Sequence, residues 1–453
     1  MIATQQNREP KVTDPYLKFF ERFEKSRDDG APSWVFPVRK AALARFAETG
    51  FPTPRDEDWR YTNVAPIANL PFRPILDSAT RDLSSESVDL FPFARLSGIR
   101  LVFVNGTFVP HLSVLPQRNS GVRIKNLKSA LVEQQSLLET HLAKLARVED
   151  SPFAALNTAF FQDGAFIHAA PGRSLDEPIV LFFVSTPTDA GNTCHLRNLI
   201  VAEKSSRLTV LECYARIGEG TTFTNAVTEA AVGEGATVVY CKFQDESPEA
   251  FHVASICAHL GLKCNFTAHS VATGARLSRN NIRVKMDGEG SDCILNGLYL
   301  TKGDQLCDHH MIVEHAKPHC NSHEYFNGIM DGRSRGVFHG RILVQPEAQK
   351  TDAKQTNKNL LLSDDATANT KPQLEIYADD VKCTHGATVG QLNDDSIFYL
   401  RARGIGLDTA RRMLIHAFAG EIIERIKCAA ARKELDEVIW DRLEQNPHVA
   451  ERR

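Results

Sequence analysis

Apolar residues recur at steps of three and four near the start of this chain. Leu17, Phe20 and Phe23 share one face of a helix expected over Pro15 to Ser26, and Val38, Ala42, Leu43 and Phe46 do so over Pro37 to Glu48. Pro52, Pro54, Pro66 and Pro71 then punctuate a loop. Within it, Glu57-Asp58-Trp59-Arg60-Tyr61-Thr62 reads as a packed aromatic corner. After a short strand at Ile99 to Val104 and an Asn105-Gly106 turn, Leu131, Leu138, Leu142 and Leu145 predict a helical connector over Leu127 to Arg147. A short helix follows at Phe153 to Phe160.

From about Ile167 to Val389 the pattern changes to strand upon strand, among them IVLFFVS, RLTVLEC, ATVVYCKF, ILNGLYL and GVFHGRILV. The turns Gly218-Glu219-Gly220, Gly233-Glu234-Gly235 and Asp287-Gly288-Glu289-Gly290 separate them. Such strands can build a sandwich, a barrel or a β-helix. Two features tilt the choice toward stacked coils. Asn296-Gly297 and His339-Gly340 precede apolar runs, and Asn357 with Asn359 resembles an inward polar ladder, although the period is ragged. Beyond Gly404, Asp408 is expected to cap a helix whose stripe is Ala410, Met413, Leu414, Ala417, Phe418, Ile422 and Ile426. Ile415, Ala419 and Ile423 widen that stripe, as either a helix wedged within its own chain or one that docks a partner would require. Three regions result: a mostly helical N-terminal region over 1–165, a strand-rich core over 166–392 and a C-terminal helical region over 393–453.

Composition narrows the function. With 453 residues, 42% hydrophobic and 24% charged, the chain is ordinary globular material with room for two or three domains. A net charge of -3 with no basic run gives no field for nucleic acid. The longest apolar runs fall far short of the ~20 residues that cross a bilayer. The first residues have no apolar leader core and carry Glu9, Asp14 and Glu21, so a cytoplasmic address is expected. The ten cysteines form no CxxC pair and read as buried thiols of a reducing compartment. Walker, GxGxxG and GxSxG motifs are missing, which argues against an ATPase or a hydrolase. Three Trp residues and no leader likewise disfavour a β-helix enzyme acting on polysaccharide.

Potential ligands are densest at Cys307-Asp308-His309-His310, Glu314, His315, His319, Cys320 and His323. A self-contained metal site there is a poor fit. Pro318 opposes the helix that would converge His315, His319 and His323, and in a strand four residues span roughly 13 Å. Stacked coils about twenty residues apart would instead bring His319 to His339. No stable metal is expected. Cys383 and His385 lie two apart after the strand Leu374 to Tyr377, so an extended chain presents thiol and imidazole on one face. Both are good ligands for iron or zinc, but two ligands are half a site.

The segment that follows Asn357 carries a specific resemblance. Asn359-Leu360-Leu361-Leu362-Ser363, Thr370-Lys371-Pro372-Gln373-Leu374-Glu375-Ile376, DDVKCTHGATVG and the run Ile397 to Ile405 resemble the C-terminal half of the SufB/SufD family of iron-sulfur cluster assembly scaffolds. KCTHGAT is similar to its SufD branch. Asp58 to Thr62, Leu156-Asn157, Asp163-Gly164-Ala165 and Val337-Phe338-His339-Gly340 also resemble family positions.

The resemblance implies a mainly β fold, a right-handed parallel β-helix core flanked by helical regions, in a complex with a SufB paralogue and the ATPase SufC. It implies that the end of the β-helix pairs with the paralogue and that His385 faces a nascent cluster there; Cys383 beside it is the second candidate residue. SufC docking falls on the C-terminal helices, with Arg403, Gly404, Ile405, Ala410, Met413, Leu414 and Phe418 the candidate residues. SufB-type chains carry a cysteine where Asn357 stands and an EHEA string in place of Thr384-His385-Gly386-Ala387. An accessory, non-catalytic subunit is therefore expected, with only a transient cluster and no tightly bound cofactor. A SufB-like scaffold carrying the cluster itself is the alternative, and the isolated chain could form a homodimer.

Overall fold

Helices Asp14–Lys25 and Val35–Thr49 form where the three-and-four spacing predicts them. In this computed structural model the described residues are 14–25, 31–70, 83–96, 98–116, 121–186, 192–218 and 220–444; Ser26, Pro71, Glu219 and the first thirteen residues lie outside them. The two helices bury Tyr16, Phe20, Phe23, Ala42, Leu43 and Phe46 with Phe153, Leu156 and Phe160 of the helix Pro152–Phe160. Phe223, Phe251, Val253 and Leu277, from three strands of one sheet, complete this cluster.

The connector expected over Leu127 to Arg147 breaks into helices Leu127–Glu133 and Gln135–His141. It does not continue to Arg147 because the backbone N–H groups of Ala143, Leu145 and Ala146 donate to the Glu229 carboxylate, at 2.8, 2.8 and 3.0 Å, instead of to helical carbonyls.

From Ala165–Ala169 to Lys382–Gly390 every regular element is a strand. Successive strands alternate between a 10-stranded and a 9-stranded sheet, each pairing in parallel with the strand one coil away. Phe251, Leu277, Leu306, Arg335 and Thr367 stack in register, so the coils there take 26 to 32 residues. The expected parallel β-helix is present, with about eight turns. Its raggedness in sequence reflects this variable coil length and the many polar residues facing inward.

Asn296-Gly297 and His339-Gly340 lie inside strands rather than ahead of them. A Cβ on Gly297 would sit 2.1 Å from the Phe326 ring one coil on, and one on Gly340 would sit 2.2 Å from Gln355 of the opposite sheet, so each glycine gives space to a larger side chain. The polar ladder is as expected: Tyr299 Oη donates to Asn359 Oδ1 at 2.7 Å, and Asn359 Nδ2 donates to Asn357 Oδ1 at 2.6 Å.

The ladder has a pH consequence. Glu324 is fully buried, accepts a hydrogen bond from Gln355, and burial pushes its pKa up to about 7. The folded chain thus keeps a proton that the unfolded chain releases above the ordinary glutamate pKa of about 4.3. Stability falls as pH rises between these values, by up to about 1.4 kcal/mol per unit. Glu324→Gln is expected to raise the urea midpoint at pH 8 and leave it unchanged at pH 4; an equal effect at both pH values would contradict this origin.

The two ends of the solenoid differ. At the first end Val122–Asn126 pairs antiparallel with Ala165–Ala169, and Thr107–Phe108 pairs antiparallel with Ile99–Val104. At the last end, Thr367–Ile376 and Lys382–Gly390 close their sheets with no further neighbour among the described residues, and most of Lys382–Gly390 is exposed. Helices Asp394–Arg401, Leu407–Ile423 and Ala429–Glu444 then fold back over the 10-stranded sheet. There Ile415, Ala419, Ile422 and Ile423 meet Val271, Leu298, Ile329 and Leu360.

The first of these helices begins before Gly404, capped by Asn393 Oδ1 on the Ser396 N–H at 2.8 Å. Gly404, at φ 83°, ends it as the Ile405 N–H turns back to the Leu400 carbonyl. Gly406 rather than Asp408 occupies the next N-cap, because the chain is already helical from Leu407. Asp408 stands in the first turn, where its charge favours the positive end of the helix dipole. No described helix is long and apolar enough to cross a membrane.

Candidate functional site

The strand Lys382–Gly390 stacks on Asp352–Leu361 with Cys383 against Ala353 and His385 against Gln355. Ala353, Gln355 and Asn357 are buried inside the solenoid. Side chains in register share a direction, so Cys383 and His385 project over the same interior, at its uncovered end. Their pairing on one face agrees with their spacing, but their surroundings differ. Cys383 is half-buried against Ile342, Val344, Ala348, Ala353 and Ala378, and burial together with the Asp352 carboxylate raises its thiol pKa. It therefore rests as a neutral thiol. His385 is exposed, one coil above Gln355 and two above Glu324. Among the described residues no third ligand-bearing side chain gathers with this pair.

The C-terminal candidates separate by burial. Ala410 is fully buried in its own chain, Leu414 and Phe418 are half-buried, and Met413 is exposed. The wide apolar arc is thus divided: Ile415, Ala419 and Ile423 face the solenoid and Met413 faces outward. Arg403 is exposed and stacks 3.5 Å from the centre of the Tyr399 ring; Gly404 and half-buried Ile405 form the turn beside it. Phe398 and Tyr399, not singled out by sequence, are 74% and 56% exposed on the same short helix. Two adjacent aromatics five and six residues beyond the polar cap Asn393 would have been the signal for them.

The histidine-rich stretch distributes over several environments. His309 lies inside, 3.0 Å from Ser270 Oγ, and burial holds its pKa down to about 3. His315 is also inside, 2.8 Å from Ser322 Oγ, its pKa lowered to about 4 by burial. His319 occupies a left-handed turn at φ 59°. It does not meet His339, because a coil takes 29 residues here and not about twenty. The neighbour of His339 is His310, with ring centroids 4.3 Å apart.

The aromatic corner packs as expected. Trp59 is buried beneath Arg279, whose guanidinium lies 3.7 Å from the ring centre. Arg279 Nη1 donates to the Asp58 carbonyl at 2.8 Å and to Asp308 Oδ2 at 2.6 Å, and Thr62 also hydrogen-bonds Asp308. The N-terminal region is thereby fastened to the solenoid wall.

Comparison with known proteins agrees with this architecture. Residues 183–418 match the family model described as SUF system FeS cluster assembly, SufBD core domain, and residues 10–181 match the SufBD protein N-terminal region. The chain is 33% identical over 410 residues to the iron-sulfur cluster assembly protein SufD of Escherichia coli, covering 90% of this chain and 93% of that one. It is 32% identical over 409 residues to an iron-sulfur cluster assembly SufBD family protein of Synechocystis, covering 88% and 89%. To SufD of Bacillus subtilis it is 26% identical over 440 residues, covering 94% and 97%. With its parallel β-helix matching the core model and its helical start matching the N-terminal one, this chain belongs to the SufBD family of iron-sulfur cluster assembly proteins.

Proposed function

We propose that this chain is an accessory, non-catalytic scaffold subunit working in the cytoplasm, which pairs through the open end of its solenoid with a SufB-type paralogue and receives a SufC-type ATPase on its C-terminal helices. The observation that carries the reading is the bare last coil. Two parallel sheets end there with unpaired N–H and C=O groups and no capping strand among the described residues. Such an edge invites another chain to continue the sheets, and the end of a second solenoid has the matching geometry.

His385 would then stand at the seam. A neutral imidazole is a good iron ligand, and the paralogue would supply the ligands this chain lacks. Cys383 packs as a protonated thiol and assists only if positive charge or iron brought to the seam draws off its proton. The cluster is cargo, formed at the seam and passed on. Iron and sulfide enter as ATP-driven approach of two ATPase subunits shifts the paralogue against this chain. The exposed Met413, Phe398 and Tyr399 beside Arg403 offer the surface on which an ATPase would seat.

His385→Ala in a reconstituted complex with the paralogue and ATPase is expected to leave assembly intact and cut cluster formation at least tenfold, read by absorbance and acid-labile sulfide. Unchanged yield in an intact complex would sink the role of His385. Met413→Glu is expected to release the ATPase while the paralogue still co-purifies, and retention of both would argue against that docking face.

A further inference from the structure

Two histidines in adjacent coils and one carboxylate from the N-terminal region converge on a cavity that the cluster-assembly reading does not use. His310 and His339 are direct neighbours across the 9-stranded sheet, 6% and 8% exposed. Asp58 projects over them from the short turn Glu57–Trp59. One carboxylate oxygen of Asp58 and one ring nitrogen of each histidine all lie within 4.8 Å of one another. His310 Nε2 is 3.7 Å from Asp58 Oδ1. These groups line a cavity of about 220 Å³ together with Glu57, Arg60, Asp308 and Lys371.

Two further observations point to a ligand. Among the described residues His310 Nδ1 and His339 Nε2 are buried with no hydrogen-bond partner, a costly condition that a cation relieves at whichever of them it takes. Four nearby cations are paired elsewhere: Arg279 with Asp308 at 2.6 Å, Lys371 with Glu57 at 2.6 Å, Arg283 with Asp150 at 3.6 Å and Arg341 with Glu375 at 3.7 Å, while Arg60, which also lines the cavity, lies over the Tyr61 ring. The Asp58 carboxylate is left to face the imidazoles.

We propose that Asp58, His310 and His339 bind a first-row divalent transition-metal cation at a site separate from the Cys383 and His385 end of the solenoid. Two imidazoles and one carboxylate suit zinc, iron(II) or cobalt(II) and leave coordination positions open to solvent. Bonds of about 2.1 Å place tetrahedral ligand atoms about 3.4 Å apart, so the trio must close by about 1 Å. Asp58, whose side chain is 56% exposed, has the freedom to make that movement, whereas the histidines are fixed by sheet register. The aromatic corner gives the carboxylate its position: Trp59 under Arg279, and Thr62 on Asp308, hold the turn against the wall.

The test uses the full chain, freed of metal by chelation and dialysis, titrated with Co²⁺ by visible absorption and with Zn²⁺ by calorimetry. One equivalent is expected to bind, with the intense d–d bands of a low-coordinate cobalt site. Asp58→Asn and His339→Gln are each expected to weaken binding at least tenfold, while a Cys383→Ser, His385→Ala double variant binds as the parent does. Asp58 is exposed, so Asp58→Asn decides the matter on a folded chain, checked by circular dichroism, even if His339→Gln does not fold. Octahedral aquo-cobalt spectra with no calorimetric saturation, or undiminished affinity in Asp58→Asn, would overturn the site. Loss of binding in the double variant would move the metal to the solenoid end and overturn it equally.

Discussion

Glu229→Ala is expected to cost about 3–5 kcal/mol of folding stability, the range for stranding one member of a buried ion pair. Glu229 and Arg197 are both fully buried, joined at 3.0 Å through Nε and 2.6 Å through Nη2. Oε2 also accepts the Ala143 N–H, and Oε1 accepts those of Leu145 and Ala146. Arg197 Nη1 reaches on to Asn157 Oδ1 at 3.2 Å and Thr158 Oγ1 at 3.0 Å. One carboxylate therefore joins the solenoid wall, the connector and the helix Pro152–Phe160. Its loss leaves a guanidinium without a counter-charge and three amides without acceptors. Urea unfolding measures the cost, and a loss under about 1 kcal/mol would show that water replaces the carboxylate. An Arg197→Leu, Glu229→Gln double variant is expected to be less destabilised than Glu229→Ala, because no charge is then left buried alone.

Gly288→Ala is expected to destabilise by about 3 kcal/mol, at the upper end for overpacking. A Cβ there would lie 2.1 Å from Gly261 C and Leu262 N, which are backbone atoms of the preceding coil. A side chain could swing away, but a stacked turn cannot. Relief requires two coils to separate and lengthens the Asp287 N–H to Leu260 carbonyl hydrogen bond, 3.0 Å in the parent. Gly386→Ala is the matched control. Nothing lies within 4 Å of its Cβ position, and its backbone is not left-handed, so its effect on the isolated chain is expected within about 0.5 kcal/mol. Thermal unfolding of the two variants compares them directly. Equal destabilisation would mean that the last coil is covered in the isolated chain.

The first two helices were legible from periodicity because each has one buried face; the Phe20, Phe23, Ala42 and Phe46 set is buried as its spacing predicts. The solenoid was harder to read. Its strands are buried on both faces, inside by the lumen and outside by the flanking helices, so alternation is lost, as in Asn192–Ala202, where all positions are buried. The coil length could not be counted because it varies, and that one quantity decides which histidines meet. With coils of about twenty residues His339 falls beside His319; with 29 it falls beside His310. Asp58 was legible only as part of an aromatic corner, since its approach to the histidines depends on folding across more than 250 positions of sequence. The Cys383 and His385 pair was readable from spacing, but the openness of the interior beneath it was not.

The uncovered last coil has an energetic meaning of its own. In a stacked array each repeat is stabilised chiefly by its two neighbours, and a terminal repeat has only one. The coil that carries His385 is therefore the place where unravelling of the solenoid begins, and its order is the least well supported from within. A partner docking there supplies the missing neighbour. On the proposed function, the strand that carries His385 would gain its rigidity from the same contact that brings the paralogue to it, which would couple the firmness of that strand to the presence of its partner.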